Sequence, residues 1–268
     1  MSKKTAFAIA CHPDDIEFGM AGTLLLLKEA GYEIHYMNIA NGSLGTNNMS
    51  REECIATRRA ESMESAKSVG AIYHESICDD LEVRYTAELF GKLVPEVRDV
   101  APEIILTHGP YDYMEDHVNA GRLAFTAAFC RGMTNAKCSR PCADKAYDAP
   151  VAVYHSMPHS ITDMLRRPVI PGMYVNVEKV IPLKKQMLCC HRSQKEWLDI
   201  SQGNDAYLED MVWRAKHFGA MSKRFTYAEG WIRHNHLGFC GPDFNPIKDA
   251  LGDLCMINQE FEDSLKVF

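Results

Sequence analysis

Thr5-Ala6-Phe7-Ala8-Ile9-Ala10-Cys11-His12-Pro13-Asp14-Asp15-Ile16-Glu17 is the stretch whose reading decides the fold. Thr5 to Ala10 is an apolar run of the length of a buried strand, and Phe18 to Ala30, with Leu24 to Leu27 inside it, carries a helix-like apolar pattern. A His, two Asp and a Glu therefore stand at a strand-to-helix turn. In an open parallel sheet, ligands bind outside the carboxyl ends of the strands, where the loop after a first strand lies. His12 and Asp15 offer imidazole and carboxylate, two of the ligand types of an open catalytic zinc site, and Asp14 is left beside them as a proton acceptor. The same residues also suit a plain helix start, since Asp is favoured at caps and Pro at turns. A second cluster has to decide between the two.

Outward from that turn, Gly31 closes the first helix and Tyr32 to Ala40 alternates as a second strand. Asn41 to Asn48 is turn-rich. Ser50 and Glu53 form a capping box that opens a helix running to about Val69 and stopping at Gly70. Ala71 to Cys78 reads as a third strand, Tyr85 to Val100 as a helix, and Glu103 to Thr107 as a buried fourth strand delivering His108 and the loop Gly109 to Asp116. His117 to Arg131 is helical in pattern, and Gly132 to Ala149, rich in Cys, Pro and polar residues, reads as a long loop or insertion. Val151 to Tyr154 and Tyr174 to Val177 read as strands, Glu178 to His191 and Asp205 to Met221 as helices; from Tyr227 onward no period is legible. Strands alternating with helices predict an α/β fold, a doubly wound and mostly parallel sheet flanked by helices. With no linker and no internal repeat, residues 1–268 are expected to form a single domain, its core at about 5–200 and a C-terminal extension at about 200–268.

In the strand order 3-2-1-4, strands one and four are neighbours, so the loop His108 to His117 faces the loop Cys11 to Glu17. His117 then comes within reach of His12 and Asp15, giving two imidazoles and one carboxylate with a position left for water.

Composition narrows the partners. The chain is 46% hydrophobic and 24% charged with a net charge of −7, and its Lys and Arg never cluster beyond pairs, so the electrostatic footprint of a nucleic-acid binder is missing. The apolar segment after Lys3-Lys4 is too short for a signal peptide, and no run of about 18 apolar residues exists for a spanning helix. A cytoplasmic protein is the expectation, with its ten cysteines reduced rather than bridged. Cys138 and Cys142, and the adjacent Cys189 and Cys190, lack the second ligand pair of a structural zinc site and read as buried or loop thiols. Gly19 and Gly22 do not complete a dinucleotide-binding turn, and the acidic insert before them would repel a pyrophosphate.

The run His12-Pro13-Asp14-Asp15-Ile16-Glu17 with Gly19-Met20-Ala21-Gly22-Thr23 after it, the pair Arg58 and Glu61 in a helix closed by Gly70, and the loop His108 to His117 together resemble the PIG-L/LmbE family of zinc-dependent de-N-acetylases. The resemblance spans about residues 5–130, with a fainter echo at His191-Arg192-Ser193-Gln194. It implies a Rossmann-like fold and hydrolysis of the acetamide of an N-acetylated amino-sugar or amino-sugar conjugate, a small-molecule substrate such as an N-acetylglucosamine conjugate. Carried over by position, His12, Asp15 and His117 are the ligands of Zn2+ or another divalent metal. Asp14 is the general base that takes the proton of a metal-acidified water and passes it to the leaving amine. Asp116 joins the catalytic set as the group that orients a histidine or tunes a neighbour. Glu17 orients the loop, and Arg58 with Glu61 reads as an ion pair under the site, with Arg58 also a candidate substrate contact. A homo-oligomer is implied as well, with Gly132 to Ala149 available for its interface.

One position departs from the family. Where many members carry a histidine three residues before the liganding one, assigned to stabilising the oxyanion, this chain has Met114, whose thioether cannot donate a proton. Tyr111, Tyr113, His155 and His191 are the candidates to replace it, and Tyr113, His155 and His191 join Arg58 as candidate substrate-binding residues. His155 equally suits a hydrogen-bonded core position, and His191 a helix end favoured by the dipole. His234 and His236, with Trp231 and Phe239, suit a sugar-binding rim, an oligomer contact or plain core. An amidase for a different amide, and a metal- or sugar-binding module without turnover, stay beside the deacetylase as alternatives.

Overall fold

Six residues without a charge form the central strand, β1 (Thr5–Ala10), buried along its whole length. Being apolar on both faces, it can sit only where helices cover both sides. Ala6, Ala8 and Ala10 pack with Leu24, Leu26 and Leu27 on one face, while Phe7 and Ile9 pack with Leu93, Val97 and Leu123 on the other. Each of those leucines contributes about 1.5–3 kcal/mol on full burial. The computed structural model describes residues 3–195 and 206–266.

The remaining strands are β2 (Glu33–Asn38), β3 (Ile72–His74), β4 (Ile104–His108), β5 (Ala152–Ser156), β6 (Met173–Asn176), β7 (Ala228–Arg233) and β8 (Cys255–Ile257). They form an eight-stranded sheet of order β3-β2-β1-β4-β5-β7-β6-β8. The first five strands in that order are parallel, and β7, β6 and β8 complete the sheet antiparallel to their neighbours. This is the single-domain, mostly parallel α/β sheet expected, with β1 beside β4.

The helices refine the expectation in places. Asp15–Gly19 (α1) and Ala21–Glu29 (α2) replace one helix from Phe18, with a break at Met20, so helix begins at the acidic pair itself. Arg51–Ser68 (α3) starts on the predicted capping box, and Gly70 takes the left-handed φ of +65° that ends it. Ala87–Val100 (α4) and Glu115–Phe129 (α5) cover the β1 face opposite α2. Ile181–Leu188 (α6) is shorter than predicted because a 3-10 turn occupies Glu178–Val180. Ala206–Ser222 (α7) covers the β6 and β7 side; the predicted start at Asp205 lies outside the described residues. β3 keeps only three of the expected residues, because this edge strand leaves β2 after His74 and touches the sheet again only at the Ala40–Cys78 bridge.

The largest correction is at the C-terminal end. Instead of extending a finished core, residues 228–233 enter the sheet between β5 and β6. Trp231 is fully buried and donates its indole N–H to Thr23 Oγ1 at 2.9 Å, and Phe239 is buried as well, so neither lines a sugar rim. Among the described residues no helix is long and apolar enough to cross a membrane.

Candidate metal centre and active-site cavity

Three side chains converge where β1 and β4 end. His12 follows β1, Asp15 opens α1, and His117 lies in the first turn of α5, delivered by the loop after β4. His12 Nδ1 is 3.3 Å from His117 Nε2 and 3.5 Å from Asp15 Oδ2, and His117 Nε2 is 3.3 Å from the same Asp15 oxygen. A tetrahedral ion bonding at about 2.0–2.1 Å spaces its ligands roughly 3.4 Å apart, so this triangle of two nitrogens and an oxygen fits zinc in size and in donor type.

The opposite edges of both imidazoles are held. His12 Nε2 is 3.2 Å from Asp116 Oδ2, and His117 Nδ1 is 2.9 Å from Asp112 Oδ2. Each carboxylate accepts one ring N–H and so fixes the tautomer that turns the other nitrogen toward the triangle. Asp116, expected to orient a histidine or tune a neighbour, is thus brought against His12. Asp112 was missed, although it lies inside the quoted loop five residues before His117. Asp116 Oδ2 also accepts the Leu81 amide at 2.7 Å. His108 stacks on His117 with centroids 4.1 Å apart, and its Nε2 accepts the Cys11 amide at 3.0 Å, stitching the β1 loop to β4. Asn38, at the end of β2, donates to His12 O at 2.6 Å.

The electrostatics describe a cluster that attracts positive charge. Burial alone would raise the Asp15 carboxyl, yet His117 and His108 hold it well below the usual carboxylate range. His117 rises to about 9 against its burial because Asp15 and Asp112 face it, and His12 rises likewise beside Cys11, Asp116 and Asp15. Such a donor set binds protons or a metal ion in competition.

Asp14 sits at the edge of this triangle with φ 104°, a conformation that non-glycine residues seldom adopt. Its Oδ2 accepts Tyr207 Oη from α7 at 2.6 Å and Arg58 Nη2 at 3.3 Å. Burial raises its pKa, offset in part by Arg58. Arg58 is therefore not paired with Glu61, which instead accepts the Ser193 amide and hydroxyl at 2.8 and 2.7 Å. The guanidinium also donates to Pro13 O, and a Cβ at Gly45 would collide with it, so the turn-rich loop can close over Arg58 only with glycine there. Glu17, fully buried, accepts Ser65 and Tyr36 hydroxyls beneath the loop.

A cavity of about 470 Å³ opens over these groups, with His12, Asp14, Asp15, Arg58, Tyr113 and His117 in its wall together with Met114, His159, Gln194, Tyr207 and Asp210. Tyr113, a candidate substrate contact, is among its lining residues. His155 and His191 are not. His191 is fully buried with Nε2 3.2 Å from Glu17, so its position is that of a charge partner inside the protein. His155 lies under a separate cavity of about 160 Å³ that Tyr111 and His234 also line, donating to His108 O at 2.7 Å and bonding His234 at 2.8 Å. Burial pushes it down to about 4. Sequence reasoning missed Tyr207, His159 and Asp210, whose loop and helix positions carry no motif.

Comparison with known proteins agrees with this architecture. Residues 7–128 match the model of the PIG-L family, described as GlcNAc-PI de-N-acetylase. The chain is 29% identical over 233 residues to diacetylchitobiose deacetylase of Thermococcus kodakarensis, covering 85% of this chain and 82% of that protein. It is 27% identical over 240 residues to 4-oxalmesaconate hydratase of Pseudomonas putida, covering 85% and 88%. Among solved structures, N,N'-diacetylchitobiose deacetylase from Pyrococcus horikoshii with its inhibitor MPG superposes with a TM-score of 0.73 at 23% identity, over 92% of this chain and 89% of that one.

Proposed function

We infer, from a chain whose residues 7–128 match the PIG-L family model, that this protein is a metal-dependent hydrolase removing the acetyl group of an N-acetylated amino-sugar or its conjugate. The observation that carries the reading is the His12, Asp15 and His117 triangle with a strained, buried carboxylate at its edge. We assign the metal to those three residues and take it to be zinc. Zinc in such a site supplies Lewis acidity, polarising the amide carbonyl and lowering the pKa of water.

Asp14 does the proton work. Tyr207 and Arg58 both bond its Oδ2, so Oδ1 is the oxygen left to take the proton of the attacking water and return it to the amine nitrogen as the C–N bond breaks. Tyr207, its hydroxyl pushed well above the ordinary pKa by burial and by Asp14, stays a donor throughout. Asp112 and Asp116 keep the two imidazoles turned inward. Tyr113 offers a ring face and a hydroxyl to a sugar.

Among the described lining residues, Asp14, Asp15, Asp80 and Asp210 face one arginine, and Arg58 is already committed to Asp14 and Pro13. A neutral amide that leaves as an ammonium suits such a wall. Location in the cytoplasm and assembly as a homo-oligomer complete the proposal.

The test is acetate release from a panel of N-acetylglucosamine conjugates, with metal content measured on the same preparation. Release with about one zinc per chain is expected. Metal bound with no acetate from any of the panel, but turnover of a different amide, would transfer the site to an amidase; failure to bind metal after zinc is supplied would remove the assignment of all three ligands.

A further inference from the structure

Met114 leaves a chemical gap. It forms the N-cap of α5 and lines the cavity, and its thioether has no proton to donate to an oxyanion. Resting on the deacetylase reading, we propose that His159, from the loop after β5, donates the hydrogen bond that stabilises this oxyanion.

The alternatives in the cavity wall are mostly spent. Arg58 and Tyr207 hold Asp14, and Asp80 is an acceptor only, its one carboxylate taking the Gly42 and Leu44 amides at 2.8 and 2.9 Å. Tyr113, Gln194 and His159 remain as donors. Tyr113 is 50% exposed and the His159 side chain 43%, so the difference between them is in anchoring: the His159 loop and ring are held from several sides. Arg214, itself buried, donates to three consecutive carbonyls of that loop, those of Met157, Pro158 and His159. The imidazole packs edge-on against Phe18 with centroids 4.8 Å apart, and Phe18 packs against Tyr207 at 5.2 Å. Its Nε2 stands 3.4 Å from Asp210 Oδ2, beyond the usual reach of a made N–H···O bond, so the N–H is available to a substrate.

One helix organises all of this. Tyr207, Asp210 and Arg214 lie at i, i+3 and i+7 of α7, on a single face. That face carries the group that holds the base, the carboxylate beside His159 and the anchor of the His159 loop. Burial, and then the Arg214 charge, lower the His159 pKa, so the ring meets the substrate neutral and as an N–H donor. The bond balance is that of amide hydrolysis: the water oxygen bonds the carbonyl carbon, the C–N bond breaks, and Asp14 carries the proton to nitrogen. His159 gains and loses none. Fixed donors of this kind, aimed at developing charge, are worth about 10²–10³-fold in rate.

His159→Phe and His159→Gln, in zinc-loaded protein, test the assignment by two readouts. The first is the affinity for methylphosphonate, a tetrahedral anion, by calorimetry; the second is kcat and KM for acetate release from N,N'-diacetylchitobiose. We expect His159→Phe to weaken methylphosphonate at least tenfold and to lower kcat about 10²-fold with KM within about threefold. His159→Gln, which keeps an N–H, should recover most of both, with zinc content and melting temperature unchanged in each variant. Wild-type affinity for methylphosphonate in His159→Phe, or wild-type kcat in it, overturns the donor and leaves deacetylation standing. Loss of methylphosphonate binding in His159→Phe while the wild type releases no acetate retains the donor and removes deacetylation.

Discussion

Two buried clusters of charge in this protein are built on opposite plans. Beneath α2, Glu229 of β7 has both oxygens satisfied: Oε1 by the Gly22 amide at 2.8 Å and Lys184 Nζ at 2.5 Å, Oε2 by the Thr23 amide and hydroxyl at 2.7 Å each. The carboxylate caps a helix whose own N-cap residue, Met20, offers no side-chain bond, and Lys184 cancels the charge at 1% exposure. At the cavity, by contrast, His12, Asp15 and His117 turn acceptor atoms toward one another, and Asp14 is kept in a rare backbone conformation. A cluster that closes on itself holds elements together. A cluster left convergent waits for a cation and a substrate, and the rest of the fold must restrain it.

If that contrast is right, the two clusters should fail differently. The largest effect is expected from Asp14→Asn, which removes the proton acceptor but keeps the size: acetate release should fall about 10²–10⁴-fold with zinc content unchanged. Retained turnover would remove Asp14 as the proton acceptor. Next comes Glu229→Ala, which strands a buried lysine and two helix amides; a loss of about 3–5 kcal/mol, near 10 °C in melting temperature, should leave kcat per folded molecule intact. A drop in kcat at unchanged melting temperature would erase the distinction between the clusters.

A smaller effect concerns acid. His155 is buried and neutral with its pKa pushed down to about 4, so the unfolded chain binds protons more readily below about 6.5. Its contribution to stability is complete above that pH and declines as the pH falls toward 4, by at most about 3 kcal/mol. Melting curves across this range should be steeper for the wild type than for His155→Gln, and parallel curves would count against it. The smallest expected effect is that of Asp112→Asn, which lets His117 turn and weakens zinc about 10–100-fold in a competition titration with a chelator. Unchanged affinity would show that His108 stacking alone fixes the ring.

The legible parts of this chain were those whose meaning is local or carried by a motif. Thr5 to Ala10 is a strand to the residue, Ser50 with Glu53 is a capping box, and the order of the first four strands brought His117 to His12. Groups whose meaning depends on distant packing were not legible. Arg58 reads naturally as the partner of Glu61 three residues on, but Asp14 and Ser193 separate them. Tyr207, Asp210 and Arg214 read as an ordinary helix, because only the tertiary fold puts that face over the cavity. β7 escaped notice because Gly230 interrupts its apolar pattern, and the reason for that glycine is Pro171 and Met157, where a Cβ would stand 2.6 and 2.9 Å from side-chain atoms.

The place of β7 between β5 and β6 also sets an order in time. As the ribosome extends the chain, the parallel strands β1 to β5 can assemble from what has already emerged, but β6 emerges with no neighbour to pair with until Ala228–Arg233 follows. Through that interval Lys184 has no Glu229, the amides at the start of α2 have no carboxylate, and Thr23 has no Trp231. The nascent protein thus carries an open sheet edge at β5 until Ala228–Arg233 arrives to close it.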